Sequence, residues 1–429
     1  GEIDLSRMND YGLISVLPLQ VFLGVALLNV SFCLSLRAQP FRTPLVLLHV
    51  LALIVMLYGI TALIEPVPRF ESAWKHVGVT EYILRNGSID PRLNAYFNWP
   101  GFFIGLAFLT RLLDLPTALQ LVAWTPVVLN LLYLGPLILI FRRATTDARL
   151  IWLAVWTFFL ANWIGQDYLS PQGFNYFLFL TIFAILLTWF EVTTPSHPVF
   201  RLLRRLRLPM RQAERLYQWV APADPPMTPI SSRQRKALIV LVVAAFTASV
   251  TSHQLTPFAI LGAVTALVVL NRCNLTALPI VMGIILVGWL RFFAEAYFAG
   301  HAEHITSQVG AVSESVSANM TSRLSGSTGH VVVVYVRTAM TVALWLLAFL
   351  GGLRRLSKGH RDFTFALLAV VPFPLVVLQS YGGEMLLRIY LFSLPFMAFF
   401  AAAIFYRDDW TGSSWWTTGS LILVCLVAS

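Results

Sequence analysis

A succession of long apolar runs broken by short polar turns constrains this chain more than any other feature. A helix needs about 20 apolar residues to cross a bilayer's hydrocarbon. Runs of roughly that kind lie at 12–36, 44–64, 117–141, 150–164, 170–190, 236–251, 256–271, 277–297, 331–353, 362–380, 387–405 and 413–429. The chain is 58% hydrophobic and only 12% charged, where a soluble domain carries about one-quarter charged residues. A water-soluble globule cannot bury so much apolar surface. That excludes a cytosolic enzyme, a secreted disulfide scaffold and a disordered protein. The expected fold is all-α: a polytopic transmembrane helical protein of about 12 spans, forming one membrane domain over 1–429. The first run, 12–36, is too long for a signal-peptide core and has no small-residue cleavage site. A chain that begins at Gly1 and ends at Ser429 inside an apolar run reads as a piece of a longer protein.

Charge sets the orientation. With Arg37 and Arg42 on the cytoplasmic side, strict alternation puts Arg142, Arg143, Arg149, the basic residues between Arg201 and Lys236, Arg272, Arg354, Arg355, Lys358, Arg361 and Arg407 there too. This is the positive-inside pattern, and it accounts for most of the 30 basic residues. The alternation holds only if the apolar stretch 100–113, interrupted by Pro100 and followed by Asp114, lies on the surface. The basic stretch 201–215 then reads as a topology anchor against anionic headgroups; no nucleic-acid partner is needed. Cys33, Cys273 and Cys425 lie far apart in sequence and read as buried small hydrophobes, neither a disulfide framework nor a metal site.

Polar chemistry gathers on the other side, in 65–116, 165–169, 252–255, 298–330 and 381–386. Segment 70–86 (FESAWKHVGVTEYILRN) reads as an interfacial helix, with Trp74, Val77, Tyr82 and Ile83 toward headgroups and Glu71, Lys75 and Arg85 toward water. The span middles are almost free of Asp and Glu, whereas a secondary transporter is expected to carry ionisable groups near the midplane. Arg337, the main charge well inside a span, calls for a buried partner. His301, His304 and His330 lack a compact metal-ligand spacing.

The order of parts, an outer loop with an early acid, "EYILRNGSID", the aromatic–Pro step "NAYFNWPGFF" and a span leaving at "FRR", resembles the GT-C superfamily of integral-membrane glycosyltransferases. It is nearest the protein-mannosyltransferase and aminoarabinose-transferase-like branches. The likeness spans roughly 44–405 in architecture but only short stretches in letters; Glu71 stands where many relatives have Asp, and Trp99-Pro100 replaces Tyr-Pro-Pro. The resemblance implies two juxtamembrane helices in the first outer loop and an active site on the extracytoplasmic face, on a prokaryotic plasma membrane. It implies inverting transfer of a sugar from a polyprenyl-phosphate donor to a glycan, lipid or protein acceptor.

Such transfer needs a carboxylate base and positive charge on the departing phosphate. Glu71 is the candidate base, and Asp167 orients the acceptor or shares a divalent cation with it. Arg388 is the candidate phosphate clamp, because a guanidinium forks phosphate oxygens, with His253 and Lys75 as further phosphate contacts. Trp99, Tyr168, Gln172 and Glu384 are candidate sugar or acceptor contacts. The same residues have plainer readings: Glu71 paired with Lys75 at i,i+4, Asp167 capping the 170–190 helix, Arg388 reaching toward headgroups. A polysaccharide polymerase or ligase on undecaprenyl carriers, and a lipid or solute transporter, are the competing functions.

Overall fold

The computed structural model describes residues 3–192, 230–297, 324, 326–377, 384–406, 419–422 and 424–425. The apolar run 413–429 falls largely outside them, and the basic stretch 201–215, His301 and His304 fall wholly outside. Among the described residues the chain is helical, and the sole ladder contact is an isolated antiparallel bridge between Glu191 and Cys273.

The helices are α1 (Leu19–Arg37), α2 (Thr43–Tyr58), α3 (Ile60–Ile64), α4 (Glu71–Asn86), α5 (Gly101–Leu112), α6 (Thr125–Ala144), α7 (Ala148–Ala161) and α8 (Pro171–Trp189). After the undescribed 193–229 come α9 (Ser232–Ser252), α10 (Thr256–Val269), α11 (Leu278–Phe292), α12 (Thr328–Ser357), α13 (Phe363–Val370) and α14 (Met385–Phe405). Six of them, α1, α6, α8, α9, α12 and α14, are long and apolar enough to cross a membrane. The remaining apolar helical stretches, α2, α5, α7, α10, α11 and Phe363–Val377, are 10–17 residues long.

Helix starts follow the sequence closely. Proline occupies the first turn of α2, α6, α8, α10 and α11, where its missing N–H would have no intrahelical partner. Ser170 caps α8 by accepting from the Gly173 N–H at 3.0 Å. Ser231 and Gln234 form a reciprocal capping box on α9.

Several apolar runs break where a continuous helix was expected, and three of the breaks have a plain cause. The run 44–64 is interrupted at Gly59, between α2 and α3. In 117–141 the helix proper begins only at Thr125, because 118–121 is a separate 3-10 turn. Its Ala118 N–H and the Thr117 hydroxyl donate to Glu81 Oε1 at 3.1 and 2.7 Å. In 362–380, α13 stops at Val370 and a 3-10 turn follows at Phe373–Val377, since Pro372 and Pro374 cannot donate to a helical ladder.

The bundle is organised around α14, 89% of whose apolar window is buried, against 11% for α12. Helix α14 packs along α7 and, most extensively, along α12. At Gly351 the two backbones touch: a Cβ there would lie 1.8 Å from the Phe400 carbonyl oxygen. Close approach through small residues is how helices pack without a hydrophobic driving force. The opposite face of α12 exposes Leu346, Phe349, Leu350 and Leu353. Arg337, on the same helix, is exposed rather than buried and lies 5.7 Å from the Trp163 ring centroid. Position 337 lies on the side of the helix that meets Trp163, but the side chain stays exposed there.

The helices run alternately between two unlike ends. At one end Arg149 donates to the Leu36 carbonyl at 2.8 Å, Arg355 to the Ala144 carbonyl at 3.0 Å, and Tyr406 to Asp147 at 2.8 Å. Arg143 pairs there with Glu191, and Arg354 donates to the Ile404 carbonyl. About 28 Å away by helix rise, the length of α8, the other end carries α4, α5, the 162–170 turn, the α9–α10 turn and the start of α14.

Candidate functional site

Helix α4 positions one wall of the candidate site. It buries Ala73, His76, Val77, Val79 and Thr80, so Val77 faces protein rather than headgroups, and Gly87 ends the helix with φ +65°. His76 contacts the Leu169 carbonyl through Nδ1 at 2.8 Å. A carbonyl only accepts, so Nδ1 carries the proton. The His76 ring stacks on Tyr168 with centroids 5.8 Å apart, and Tyr96 and Phe103 close around it at 5.2 and 5.6 Å. Burial holds its pKa below the ordinary histidine value, partly offset by the Leu169 contact.

The second wall is the α9–α10 turn. His253 Nδ1 accepts from the Leu255 and Thr256 N–H groups at 3.2 and 3.1 Å. Both donors are fixed, so Nδ1 is the unprotonated nitrogen and Nε2 carries hydrogen. Burial, then the nearby positive charge of Arg388 and the neighbouring His76, push the pKa down to about 3. His253 is therefore a neutral donor, not the cation a phosphate clamp would suggest. The turn is roofed by the start of α5. A Cβ on Gly101 would lie 2.3 Å from Thr251 Oγ1 and 2.7 Å from Ser252 Oγ, so Trp99-Pro100-Gly101 requires glycine.

The third wall is the first turn of α14. Arg388 is 6% exposed and paired with Glu384 at i−4. It lies within electrostatic range of both His253 and Tyr168, and Glu384 within range of Tyr96 and Tyr168. Gln172, in the first turn of α8, is at a matching depth. It lies one turn before Tyr176, whose hydroxyl donates to the Leu391 carbonyl at 2.9 Å, and Arg388 lies one turn before Leu391. Gln172 is 3% exposed, and neither atom of its amide has a hydrogen-bond partner among the described residues.

Tyr168 divides this cluster from a neighbouring cavity of about 200 Å³. The cavity is bordered by Glu65, Arg69, Phe70, Trp74, Gln120 and Tyr168. Phe70 stacks on Tyr168 at 4.9 Å. The Glu65 side chain, 10% exposed, pairs with Arg69 through one oxygen; its other oxygen is buried with no partner among the described residues.

Four expectations about site residues change here. Glu71 is 85% exposed in its side chain and bound to Lys75 at 2.9 Å; that hydrogen bond lowers its pKa and raises that of Lys75. The pair stands on the water-facing rim, Lys75 within electrostatic range of Tyr96, because position 71 falls on the outer face of α4. Asp167 does not join Glu71. It accepts from Asn130 Nδ2 at 2.5 Å, and Asn162 donates to the Asn130 amide oxygen at 3.4 Å. Burial raises Asp167 to about 6, moderated by Asn130. Nor does Asp167 cap α8; Ser170 does. Trp99 is 5% exposed and packs edge-on against Tyr297 at 5.1 Å, so its indole is occupied.

His76 and Glu65 are the residues that sequence reading passed over. The signal for His76 was its spacing from Ala73, Val77 and Thr80, which shares one helical face. Glu65 follows the apolar run directly, where a carboxylate is least easily solvated. Among the described residues, no group of three or more His, Cys, Asp or Glu side chains is placed to hold a metal ion. The chain matches no protein-family model and no curated protein sequence.

Proposed function

We propose that the protein is a membrane glycosyltransferase of GT-C type, moving a sugar from a polyprenyl-phosphate donor to an acceptor at the extracytoplasmic face. The observation that carries this reading is the convergence of His76, Tyr168, His253 and Arg388, from four separate segments, at the end of the bundle opposite the arginine-rich one. In this reading the bundle crosses the bilayer about 12 times, α4 and α5 lie at its outer surface, and the positive-inside pattern puts the cluster outside.

The residues divide the work across Tyr168. The donor phosphate rests on the Arg388 guanidinium and the His253 Nε2–H, one charged and one neutral donor. The Gln172 amide hydrogen-bonds the sugar hydroxyls, and Tyr168 presents its ring beside them. The acceptor hydroxyl enters the cavity on the far side. There a carboxylate removes its proton as the oxygen attacks the anomeric carbon, the carbon–oxygen bond to phosphate breaks, and polyprenyl phosphate departs. Glu65 suits that role better than Glu71 by position: it borders the cavity and one of its oxygens has no hydrogen-bond partner among the described residues, whereas Glu71 stands exposed and bound to Lys75. Glu71 and Lys75 remain on the rim, where an acceptor arriving from water passes.

The test is reconstitution in vesicles with a labelled polyprenyl-phosphate sugar and candidate acceptors. Glu65→Gln should abolish release of polyprenyl phosphate while Glu71→Gln retains it. Loss with Glu71→Gln alone restores the exposed acid as base. Movement of labelled lipid across the vesicle without cleavage of the glycosyl phosphate overturns the transfer reading in favour of transport.

A further inference from the structure

The arginine-rich end holds a second site that sugar transfer does not use. A cavity of about 320 Å³ opens between the α6–α7 turn, the start of the segment after α8, the α10–α11 turn and the α12–α13 turn. Five arginines line it (142, 143, 272, 355 and 361) against two carboxylates, Glu191 and Asp362. Both carboxylates are already taken. Glu191 holds Arg143 and accepts from the Thr364 hydroxyl at 2.9 Å; Asp362 holds Arg355 at 2.5 and 3.0 Å. Among the side chains that line the cavity, arginines therefore outnumber carboxylates five to two.

Arg272 is the telling residue. It is 2% exposed, its guanidinium lies 4.9 Å from the Phe363 ring centroid, and its Nη2 has no hydrogen-bond partner among the described residues. A guanidinium nitrogen buried without an acceptor is costly, and an anion in the cavity would supply one.

A second cavity, of about 340 Å³, adjoins the first and shares His360, Arg361 and Asp362 with it. It is otherwise apolar, running along α12, α13 and α14 between Trp345, Phe349, Gly352, Phe373 and Phe400. The adjoining α12 face exposes leucines and phenylalanine outward. A charged cup continuous with an apolar groove matches one class of ligand. We infer that an anionic phospholipid docks here, its phosphate on Arg272 and Arg361 and one acyl chain in the groove beside Trp345. A free phosphate would fill the cup and leave the groove unexplained. The inference is independent of the transfer reading, and its test involves no sugar.

Purified protein in detergent would be titrated with phosphatidylglycerol brominated along its chains, reading quenching of tryptophan emission. The expected result is a saturable component of loss, above the quenching shared by the other tryptophans, that disappears in Trp345→Phe. The same loss should need at least about 10-fold more brominated phosphatidylcholine, and at least about 10-fold more phosphatidylglycerol in Arg272→Gln. Arg361→Gln, at an exposed position, gives the same readout should Arg272→Gln fail to fold, and Gly352→Leu should block the groove. Equal quenching by the two lipids overturns the proposal. So does inorganic phosphate displacing the lipid at equal concentration, which would mark a site for the anion alone.

Discussion

The two ends of the bundle solve the same problem, polar groups at the margin of an apolar body, in different ways. The arginine-rich end closes its charges on each other: Arg143 with Glu191, Arg355 with Asp362, and Arg149 and Arg354 on helix-end carbonyls. The other end also pairs its charges, but sets its buried arginine, Arg388 with Glu384, among aromatic rings and two uncharged histidines, His76 and His253. Charge closed on charge fastens elements together there, while Arg272 keeps a nitrogen without a hydrogen-bond partner among the described residues. Neutral histidines beside the Arg388–Glu384 pair add no charge of their own, so that pair sits in a low-dielectric place where its field is little screened. The first arrangement ties helix ends to one another; the second surrounds one partly buried ion pair with neutral side chains.

The comparison breaks first at the paired charges. Asp362→Ala leaves Arg355 buried without its carboxylate, and should cost about 3–5 kcal/mol, read as a lower thermal midpoint of the purified protein. A midpoint within a degree of the parent would mean that the pair clamps nothing. At the other end, under the proposed glycosyltransferase function, Arg388→Gln should lower sugar transfer by about 10²-fold with a much smaller change in midpoint; unchanged turnover would remove Arg388 from the proposed phosphate contact.

Acid should separate the ends further. The folded pKa of His253 lies near 3, below the unfolded value of about 6.5. Its contribution to stability is therefore complete above pH 6.5 and is lost as pH falls toward 3. Protonation of Nδ1 also removes the acceptor of the Leu255 and Thr256 amides. The protection of those amides against hydrogen exchange, relative to intrinsic exchange at each pH, should fall on acidification before that at Arg272, whose backbone N–H is bound to the Leu267 carbonyl; simultaneous opening would refute a local titration. Asp167 has the reverse sign. Its folded pKa of about 6 lies above the unfolded value, so stability is lost as pH rises from about 4 through 6. Asp167→Asn should raise the midpoint at pH 8 and flatten that limb. The smallest effect belongs to the rim: Glu71→Gln, which breaks an exposed pair, should leave the midpoint unchanged.

Much of the helical layout was legible in the residues themselves. The apolar runs, the proline-led helix starts and the helix over 71–86 follow from local chemistry, because a backbone in an apolar setting must satisfy its hydrogen bonds within the helix. The gathering of arginines at one end follows from charge alternation. The breaks at Gly59 and after Val370 were present as Gly and Pro but were hidden inside apolar runs.

What the letters could not determine was which face of each element met which neighbour. Asp167 and Tyr168 are consecutive, yet one enters the Asn130 amide knot and the other joins the His76 rings. Glu65 and Glu71 lie in one loop, yet Glu65 borders the cavity beside Tyr168 and Glu71 stands exposed, paired with Lys75. Cys33 and Cys425, nearly the whole chain apart, bring their thiols within hydrogen-bonding reach. Hydropathy reports how deep a residue sits and says nothing of azimuth. Azimuth is set by packing among helices that are apolar on every side, such as α14, and that packing exists only in the assembled bundle.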